Sequence, residues 1–418
     1  LFAGAREAAS GNGRQSAVAV PMQVAVDVGR GTAAYLTSSD SDWNVTPPLG
    51  HLMLVNERIR LDPQSQALIH FRDPYRNNQL VASVTMKGGV ELFLGTAQRP
   101  RFQWSSVDYR IDLQDVVGEL DVYIPEGLDR GISVNLGTAE GAFVYLVDSG
   151  DYTVTATATQ VQVVNRGGQA AVSASDPATT RLVPDGQLGV MALVDATSDV
   201  VFTPLSTNLL QPARFQAFNA SALAQPTMPL NDLVAPWQCG DSQSPPPGQV
   251  GFGMPGGRSG IRLFRANADT HGETGCSQSL GEGQAGLDVT GFTSLVFKTN
   301  FYIQDHSVSL CGIQGSECPL MLLLDYKYID ANGNEQLKVW YHGFYSKADP
   351  SLDYPTRCLS CLREHELVYA GTWYTFESTN LLELIPEAER PTALLRVRFY
   401  ASGHEYDVYV SNVALYAG

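Results

Sequence analysis

Short stretches of this chain alternate hydrophobic and polar residues, with glycine, aspartate or proline at the breaks. In the first clear case, Val24, Val26 and Val28 occupy every second position. Alternation with period two predicts strands that bury one face, and similar stretches recur about every 8–12 residues as far as residue 193. No part of this half follows the helical period of about 3.6 residues. The pattern predicts a β-sandwich, a β-barrel or a β-solenoid.

Several segments of this half combine a strand with a turn in a recognisable order. They are residues 57–62 (Glu-Arg-Ile-Arg-Leu-Asp), 65–71 (Ser-Gln-Ala-Leu-Ile-His-Phe), 118–122 (Gly-Glu-Leu-Asp-Val), 134–141 (Val-Asn-Leu-Gly-Thr-Ala-Glu-Gly), 149–154 (Ser-Gly-Asp-Tyr-Thr-Val) and 161–168 (Val-Gln-Val-Val-Asn-Arg-Gly-Gly). With these motifs, residues 24–195 resemble the FecR-type domain family, named for an iron-dicitrate regulatory protein. The resemblance implies an extracytoplasmic, β-rich domain without enzymatic activity.

Prolines punctuate the middle of the chain, and the periodic pattern fades there. They are Pro204, Pro212, Pro226, Pro229 and Pro236, followed by three consecutive prolines at residues 245–247. Proline lacks the backbone donor of a strand ladder and stiffens the chain. We therefore expect a linker at residues 205–250, between a β domain at residues 21–204 and a second one at residues 251–418. The small, polar residues 1–20 are expected to form an N-terminal arm.

Strands rich in aromatic residues return after Gly260. The turn at residues 330–334 (Asp-Ala-Asn-Gly-Asn) predicts a hairpin, because Asn-Gly favours the left-handed turn geometry. The only helix expected is a short one at residues 381–390. Residues 397–415 resemble the closing strands of galactose-binding-like and carbohydrate-binding β-sandwiches, with Ser411 where that pattern commonly has aspartate. The resemblance covers residues 250–418 and implies a jelly-roll sandwich.

The charge of the chain excludes one class of partner. With 27 Lys and Arg against 43 Asp and Glu, the net charge is −16, and no Lys/Arg cluster stands out along the sequence. An acidic surface repels phosphate backbones, so we expect no nucleic-acid partner. No apolar run reaches the ~20 residues that span a bilayer, so no membrane span is predicted. The chain starts at Leu1 and not at Met, which is compatible with removal of a leader or an anchor.

All six cysteines lie in the C-terminal part: Cys239, Cys276, Cys311, Cys318, Cys358 and Cys361. An even number in one domain predicts three disulfides and an oxidising compartment: secreted, cell surface or periplasm. Pairing sequence neighbours joins 239 to 276, 311 to 318 and 358 to 361. Two alternatives remain for the last pair, whose CxxC spacing is that of a zinc knuckle or a thioredoxin-like redox motif. The chain offers neither a second CxxC nor a βαβ context for them.

The sequence carries no sign of catalysis, since it has neither an HExxH nor a GxSxG motif. We expect no cofactor and no metal. The best binding candidates are the neighbouring residues Trp340, Tyr341, His342, Phe344 and Tyr345 on one predicted strand. One face of that strand should be core, and the other should expose rings that stack on sugars or pack on another protein. The alternative is that these rings only fill the core and form cross-strand pairs.

These observations predict an all-β, non-catalytic extracellular protein with a structural or adhesive role. Its expected partners are further copies of itself, in a fibre or lattice, or other surface proteins. One alternative is a carbohydrate-binding surface module that binds glycans through the aromatic strand. A second alternative is a secreted hydrolase with a degenerate site, which would need two carboxylates held across a cleft.

Overall fold

The computed structural model describes residues 19–47, 50–102, 104–174, 179–193, 199–211, 215 and 234–418. The chain forms two compact units, Leu1–Leu205 and Ser206–Gly418. Both are built almost entirely from strands, as the alternating pattern predicts. Most of the expected N-terminal arm lies outside the described residues. No helix in the described part of the chain is long and apolar enough to cross a membrane.

The described residues of the first unit contain eighteen strands. They are β1 (Ala19–Pro21), β2 (Gln23–Arg30), β3 (Ala33–Leu36), β4 (Asn44–Val45), β5 (His51–Leu52), β6 (Arg58–Leu61), β7 (Gln66–Asp73), β8 (Gln79–Met86), β9 (Glu91–Pro100), β10 (Tyr109–Ile124), β11 (Ile132–Thr138), β12 (Phe143–Val147), β13 (Gly150–Ala156), β14 (Gln160–Arg166), β15 (Gln169–Ser173), β16 (Arg181–Val183), β17 (Gln187–Ala192) and β18 (Val200–Pro204).

These strands form two sheets that share the long strand β10. The first sheet runs β4-β3-β6-β9-β10-β11-β12-β15-β16, with β1 beside the end of β9. The second runs β5-β2-β7-β8-β10-β13-β14-β17-β18. After β10 the chain adds two strands to one sheet and then two to the other. All pairs are antiparallel except β10 with β11.

Strand β10 passes from one sheet to the other at Gly118. Its first half pairs with β9 and β11, and its second half with β8 and β13. Gly118 has φ +97°, and a Cβ there would lie 2.8 Å from the side chain of Val90, so this position favours glycine. Strands β11, β13 and β14 bury every second residue, which places their valines and leucines in the core.

The described residues of the second unit contain thirteen strands and one α-helix, α1 (Leu381–Leu384). The strands are β19 (Thr207–Asn208), β20 (Gln238–Asp241), β21 (Gln249–Gly253), β22 (Gly260–Arg265), β23 (Gly272–Ser279), β24 (Leu287–Asp288), β25 (Leu295–His306), β26 (Leu320–Ile329), β27 (Glu335–Tyr345), β28 (Glu366–Leu367), β29 (Trp373–Glu377), β30 (Ala393–Gly403) and β31 (Tyr406–Ala417), and two 3₁₀ turns lie at Pro255–Gly257 and Glu387–Glu389.

Two sheets make up this unit, as in a β-sandwich. One has the order β21-β22-β31-β25-β29 with β19 beside β31, and the other has the order β20-β23-β30-β26-β27-β28 with β24 beside β30. A single cluster of buried aromatic and aliphatic side chains draws on strands of both sheets and forms the core. The three disulfides join the cysteines as predicted from sequence proximity.

Two expectations for this unit need correction. Within the expected linker, β19 pairs with the last strand, β20 pairs with β23, and Phe215 and Trp237 lie in the core. Proline density indicates extended chain, but it does not distinguish a free linker from a segment that packs on a domain. The expected helix at 381–390 ends after one turn, because Pro386 interrupts it before the 3₁₀ turn.

Candidate functional site

Strand β27 carries the five predicted binding residues, and the structure buries four of them. Trp340, His342 and Phe344 point into the sandwich, where the Phe344 ring centroid lies 4.5 Å from that of Phe301. The ring of His342 stacks on that of Phe376 at 4.8 Å. These side chains form the core, which corresponds to the alternative interpretation.

The other face of β27 is covered at its C-terminal end, where the predicted aromatic residues lie. Tyr345 is buried in a small second cluster, and the partly exposed Tyr341 packs against it. This cluster joins the Cys311–Cys318 loop to the outer face of strands β26, β27 and β30. The expectation of an exposed aromatic face on β27 is therefore wrong. Alternation correctly gives two faces, but it does not show that a loop more than twenty residues away in sequence packs on the outer one.

An open pocket of about 440 Å³ lies at one end of the first unit. Strands β1, β7 and β9 end there, and the loops after β7, β9 and β10 close round it. Its lining contains four guanidinium groups and two aromatic rings. The lining residues are Val20, Asp73, Tyr75, Arg76, Arg99, Pro100, Arg101, Phe102 and Arg130. We call this site the arginine–aromatic pocket.

Asp73 forms the floor of the pocket and is almost fully buried. Its Oδ1 accepts the backbone N–H of Tyr75 at 3.0 Å, which fixes the turn after β7. Its Oδ2 accepts the hydroxyl of Tyr109 at 3.1 Å. Burial and the carboxylates of Asp73 and Asp129 raise the pKa of Tyr109 to about 12, so that hydroxyl stays protonated and keeps donating.

Arginines surround this buried carboxylate. The Nε of Arg99 lies 3.4 Å from Asp73 Oδ1, and the Nε of Arg76 lies 3.8 Å from Asp73 Oδ2. Arg76 also pairs with Asp129 at 2.5 Å, and Arg130 pairs with the same carboxylate at 3.2 Å. Three of the four guanidinium groups of the lining thus pair with the two carboxylates, and that of Arg101 pairs with neither among the contacts described above. The pocket is positive in a chain whose net charge is −16.

Exposed aromatic rings form the rim. The side chain of Trp104 is 81% exposed and stacks on Phe102, with 5.0 Å between ring centroids and 9° between ring planes. Tyr75 is also exposed, and the guanidinium of Arg99 lies 4.0 Å from its ring centroid. The exposed Arg101 sits 5.6 Å from the ring of Phe102. The rim therefore offers flat apolar faces beside guanidinium donors.

The sequence prediction missed this pocket. Its lining comes from Val20, from segments 73–76 and 99–102 and from Arg130, and only the fold brings these together. One signal was present. Residues 99–104 hold two arginines and two aromatic residues within six positions, in a chain that has only 27 Lys and Arg in total.

A second cavity, of about 450 Å³, lies in the second unit beside helix α1. Phe292 and several aliphatic side chains line it, together with Glu383, Glu387 and Arg390. It has one aromatic residue and more acidic than basic groups. It therefore offers less than the arginine–aromatic pocket for recognising an anionic ligand.

Comparisons with known proteins identify no family for this chain, because no family model and no curated protein matches it. Among solved structures, a candidate anti-sigma factor from Parabacteroides distasonis has 13% identity and a TM-score of 0.24, over 35% of this chain and 59% of its own. The chain thus spans less than two thirds of that protein.

Two carbohydrate-binding modules also match. TmCBM61, in complex with β-1,4-galactotriose, has 11% identity and a TM-score of 0.24, over 51% of this chain and 100% of its own. CBM28, described as specific for non-crystalline cellulose, has 12% identity and a TM-score of 0.21, over 40% and 79%. Identities and TM-scores are low throughout.

Proposed function

We propose that this protein is a non-catalytic, extracytoplasmic binding protein that holds an acidic carbohydrate in the arginine–aromatic pocket. The observation that carries the proposal is the stacked pair Phe102 and Trp104 beside guanidinium groups, in an otherwise acidic chain. Aromatic faces suit the apolar faces of sugar rings. Guanidinium forks suit carboxylate or sulfate groups on those sugars, with two parallel hydrogen bonds each.

The two carboxylates of the pocket favour binding over hydrolysis. Asp73 is held by Tyr109, Arg76 and Arg99, and Asp129 is held by Arg76 and Arg130. A glycosidase needs one carboxylic acid and one free carboxylate on opposite sides of the bond that it cleaves. Each carboxylate already pairs with the guanidinium groups around it and fixes their positions. We therefore assign them the role of holding the arginines in place.

The three disulfides support an extracytoplasmic location. They bridge strands and loops of the second unit, and such bonds persist in secreted proteins and in the periplasm. A protein outside the cytoplasm also encounters the proposed class of ligand, because cell walls and extracellular matrices contain acidic polysaccharides.

Replacing Trp104 or Arg101 by alanine should weaken binding of oligogalacturonate by about tenfold or more, because each change removes a stacking face or a charged donor. Isothermal titration calorimetry of the full chain would measure the dissociation constants. Affinity should fall as salt rises, since part of the attraction is between exposed charges. A sulfated oligosaccharide, tested in parallel, distinguishes carboxylate from sulfate as the preferred anion.

The chain and the ligand both provide matched controls. In the same unit, the guanidinium of Arg60 lies 4.2 Å from the ring of Trp43, away from the pocket. Alanine at Arg60 or Trp43 should leave binding unchanged. Methyl-esterified oligogalacturonate keeps the sugar rings but loses the charge, and it should bind weakly. Equal binding of the free and esterified forms, or no effect of the pocket variants, would contradict the proposal.

A second candidate function is self-association, and strand β18 favours it. Among the described residues, β18 pairs only with β17, so its other edge is open. Val201 is 65% exposed and Phe202 is also exposed on this strand. An open, apolar edge is a template for pairing with a strand of another chain.

If β18 pairs with a second copy, Val201→Lys should convert assemblies to monomers, because a charge at an edge opposes strand addition. Light scattering at high protein concentration and electron microscopy would measure this. Leu337→Lys, at a residue 72% exposed in the second unit, is the control and should not change assembly. A wild-type chain that remains monomeric under these conditions rules this candidate out.

A further inference from the structure

His365 lies between two disulfides in the second unit. Its Nε2 is 2.7 Å from the carbonyl oxygen of Gly315 and 3.8 Å from Cys361 Sγ. A carbonyl only accepts, so Nε2 carries the proton, and in the neutral ring the lone pair is on Nδ1. That Nδ1 is buried and has no hydrogen-bond partner among the described residues. Burial lowers the pKa of His365 to about 4, which keeps the ring neutral near pH 7.

The unpartnered Nδ1 points to a place where sulfur atoms converge. A Cβ added to Gly343 would lie within 2.8 Å of His365 Nδ1, Cys318 Sγ and Met321 Sδ together. Ligand atoms of Cys311, Cys318 and His365 also lie within 4.8 Å of one another. All four of these side chains are buried. The missing side chain of Gly343 leaves space beside one imidazole nitrogen and two sulfur atoms, and Cys311 Sγ is bonded to one of these sulfurs.

We propose that, when the Cys311–Cys318 disulfide is reduced, these two cysteines, His365 Nδ1 and Met321 Sδ form a copper(I) site. Thiolate and thioether sulfurs are soft ligands, and together with imidazole they select Cu⁺ over hard cations. A ligating histidine usually donates its other ring N–H to a carbonyl or a carboxylate, as His365 does to Gly315. The thioether of Met321 distinguishes this donor set from that of a structural zinc site.

Loading the site with Cu⁺ takes two steps, reduction of the Cys311–Cys318 disulfide and then binding of the metal. An external dithiol breaks the S–S bond; each cysteine sulfur gains one electron and one proton, and the dithiol becomes a disulfide. Cu⁺ then replaces the two thiol protons, which pass to water. The two cysteines are buried, so the dithiol reaches them when the loop between them opens; Ile313 in this loop is 75% exposed. An external disulfide that takes two electrons from the two thiolates and two protons from water would re-form the Cys311–Cys318 bond, become a dithiol and release the metal.

Measurement of Cu⁺ binding by the full chain tests the proposed site. A variant with Cys239, Cys276, Cys358 and Cys361 all changed to serine keeps only the proposed pair. After anaerobic reduction with dithiothreitol and removal of the reductant, this variant should bind one Cu⁺ per chain, measured by competition with bicinchoninate. The same variant kept oxidised should bind none. Met321→Leu and His365→Gln, added to it, should each weaken binding by tenfold or more, because each removes one ligand.

Three results would overturn the proposal. One is Cu⁺ binding by the reduced four-serine variant that further change of Cys311 and Cys318 to serine leaves intact. A second is a Cu⁺ affinity that does not change when Met321→Leu or His365→Gln is introduced. The third is a preference for Zn²⁺ over Cu⁺. If the four-serine variant does not fold, X-ray absorption of the reduced, copper-loaded wild-type chain serves instead. Its sulfur and nitrogen scatterers around copper should be lost in the Cys311→Ser, Cys318→Ser double variant and kept in the Cys358→Ser, Cys361→Ser double variant; the opposite result would overturn the proposal.

Discussion

Phe344→Ala should lower the free energy of unfolding of the second unit by about 3–5 kcal/mol and leave carbohydrate binding unchanged. Phe344 is fully buried between Phe301 and Phe376, with ring centroids at 4.5 and 4.9 Å. Truncating a buried phenylalanine loses its transfer free energy and leaves a cavity. Because the proposed ligand pocket belongs to the first unit, its affinity should not change.

Urea unfolding followed by tryptophan fluorescence would measure this effect. Trp237, Trp340 and Trp373 are buried in the second unit and report on its unfolding. Leu337→Ala is the matched control on the same strand, since Leu337 is largely exposed and its truncation should change stability by less than about 0.5 kcal/mol. Loss of carbohydrate binding with unchanged stability would instead restore β27 as a binding strand.

The strands themselves could be predicted from the sequence, because alternation and turn residues are local signals. The hairpin at residues 330–334 is an example. The backbone N–H of Asp330 donates to Asn334 O at 2.9 Å, and Gly333 has φ +81° as the Asn-Gly pair implies. The all-β fold and the disulfide pairing are also confirmed.

The candidate sites could not be predicted, because each depends on contacts between distant segments. Four arginines that look scattered between residues 76 and 130 meet in one pocket only when the strands of both sheets of the first unit are in place. In the second unit, the sandwich core takes up Trp340, His342 and Phe344, and the Cys311–Cys318 loop packs with Tyr345 and Tyr341 on the outer face of β27. Period-two patterns tell which residues share a face, but not what packs on that face.

Lowering the pH from 7 to 4.5 should destabilise the second unit, because two of its histidines are buried in the neutral form. Burial, helped by the nearby Lys347 cation, lowers the pKa of His306 to about 4 against the partly offsetting charge of Asp305. Burial, helped by the neighbouring His342, lowers the pKa of His365 to about 4. The ordinary value for both is 6.5.

The direction of the change in the free energy of unfolding follows from which state of the chain binds more protons. Between pH 6.5 and 4 the unfolded chain binds these two protons and the folded chain does not, so the free energy of unfolding falls as the pH falls through that window. Each histidine contributes on the order of 3 kcal/mol over the full window. Asp305 acts at lower pH, because its hydrogen bond from Lys347 holds its pKa below the ordinary value and its contribution is lost only as the pH falls further.

Urea unfolding at pH 7 and at pH 4.5, followed through the same tryptophans, measures the effect. The double change His306→Gln and His365→Gln should flatten the pH dependence, because neither amide takes a proton in this range. His271→Gln is the control, since that side chain is about half exposed and its loss removes no buried neutral ring. If the double variant does not fold, NMR titration of the wild-type imidazoles replaces it. Two rings that protonate near pH 6.5 in the folded chain would contradict the prediction, because proton uptake would then be alike in both states and no stability would be lost.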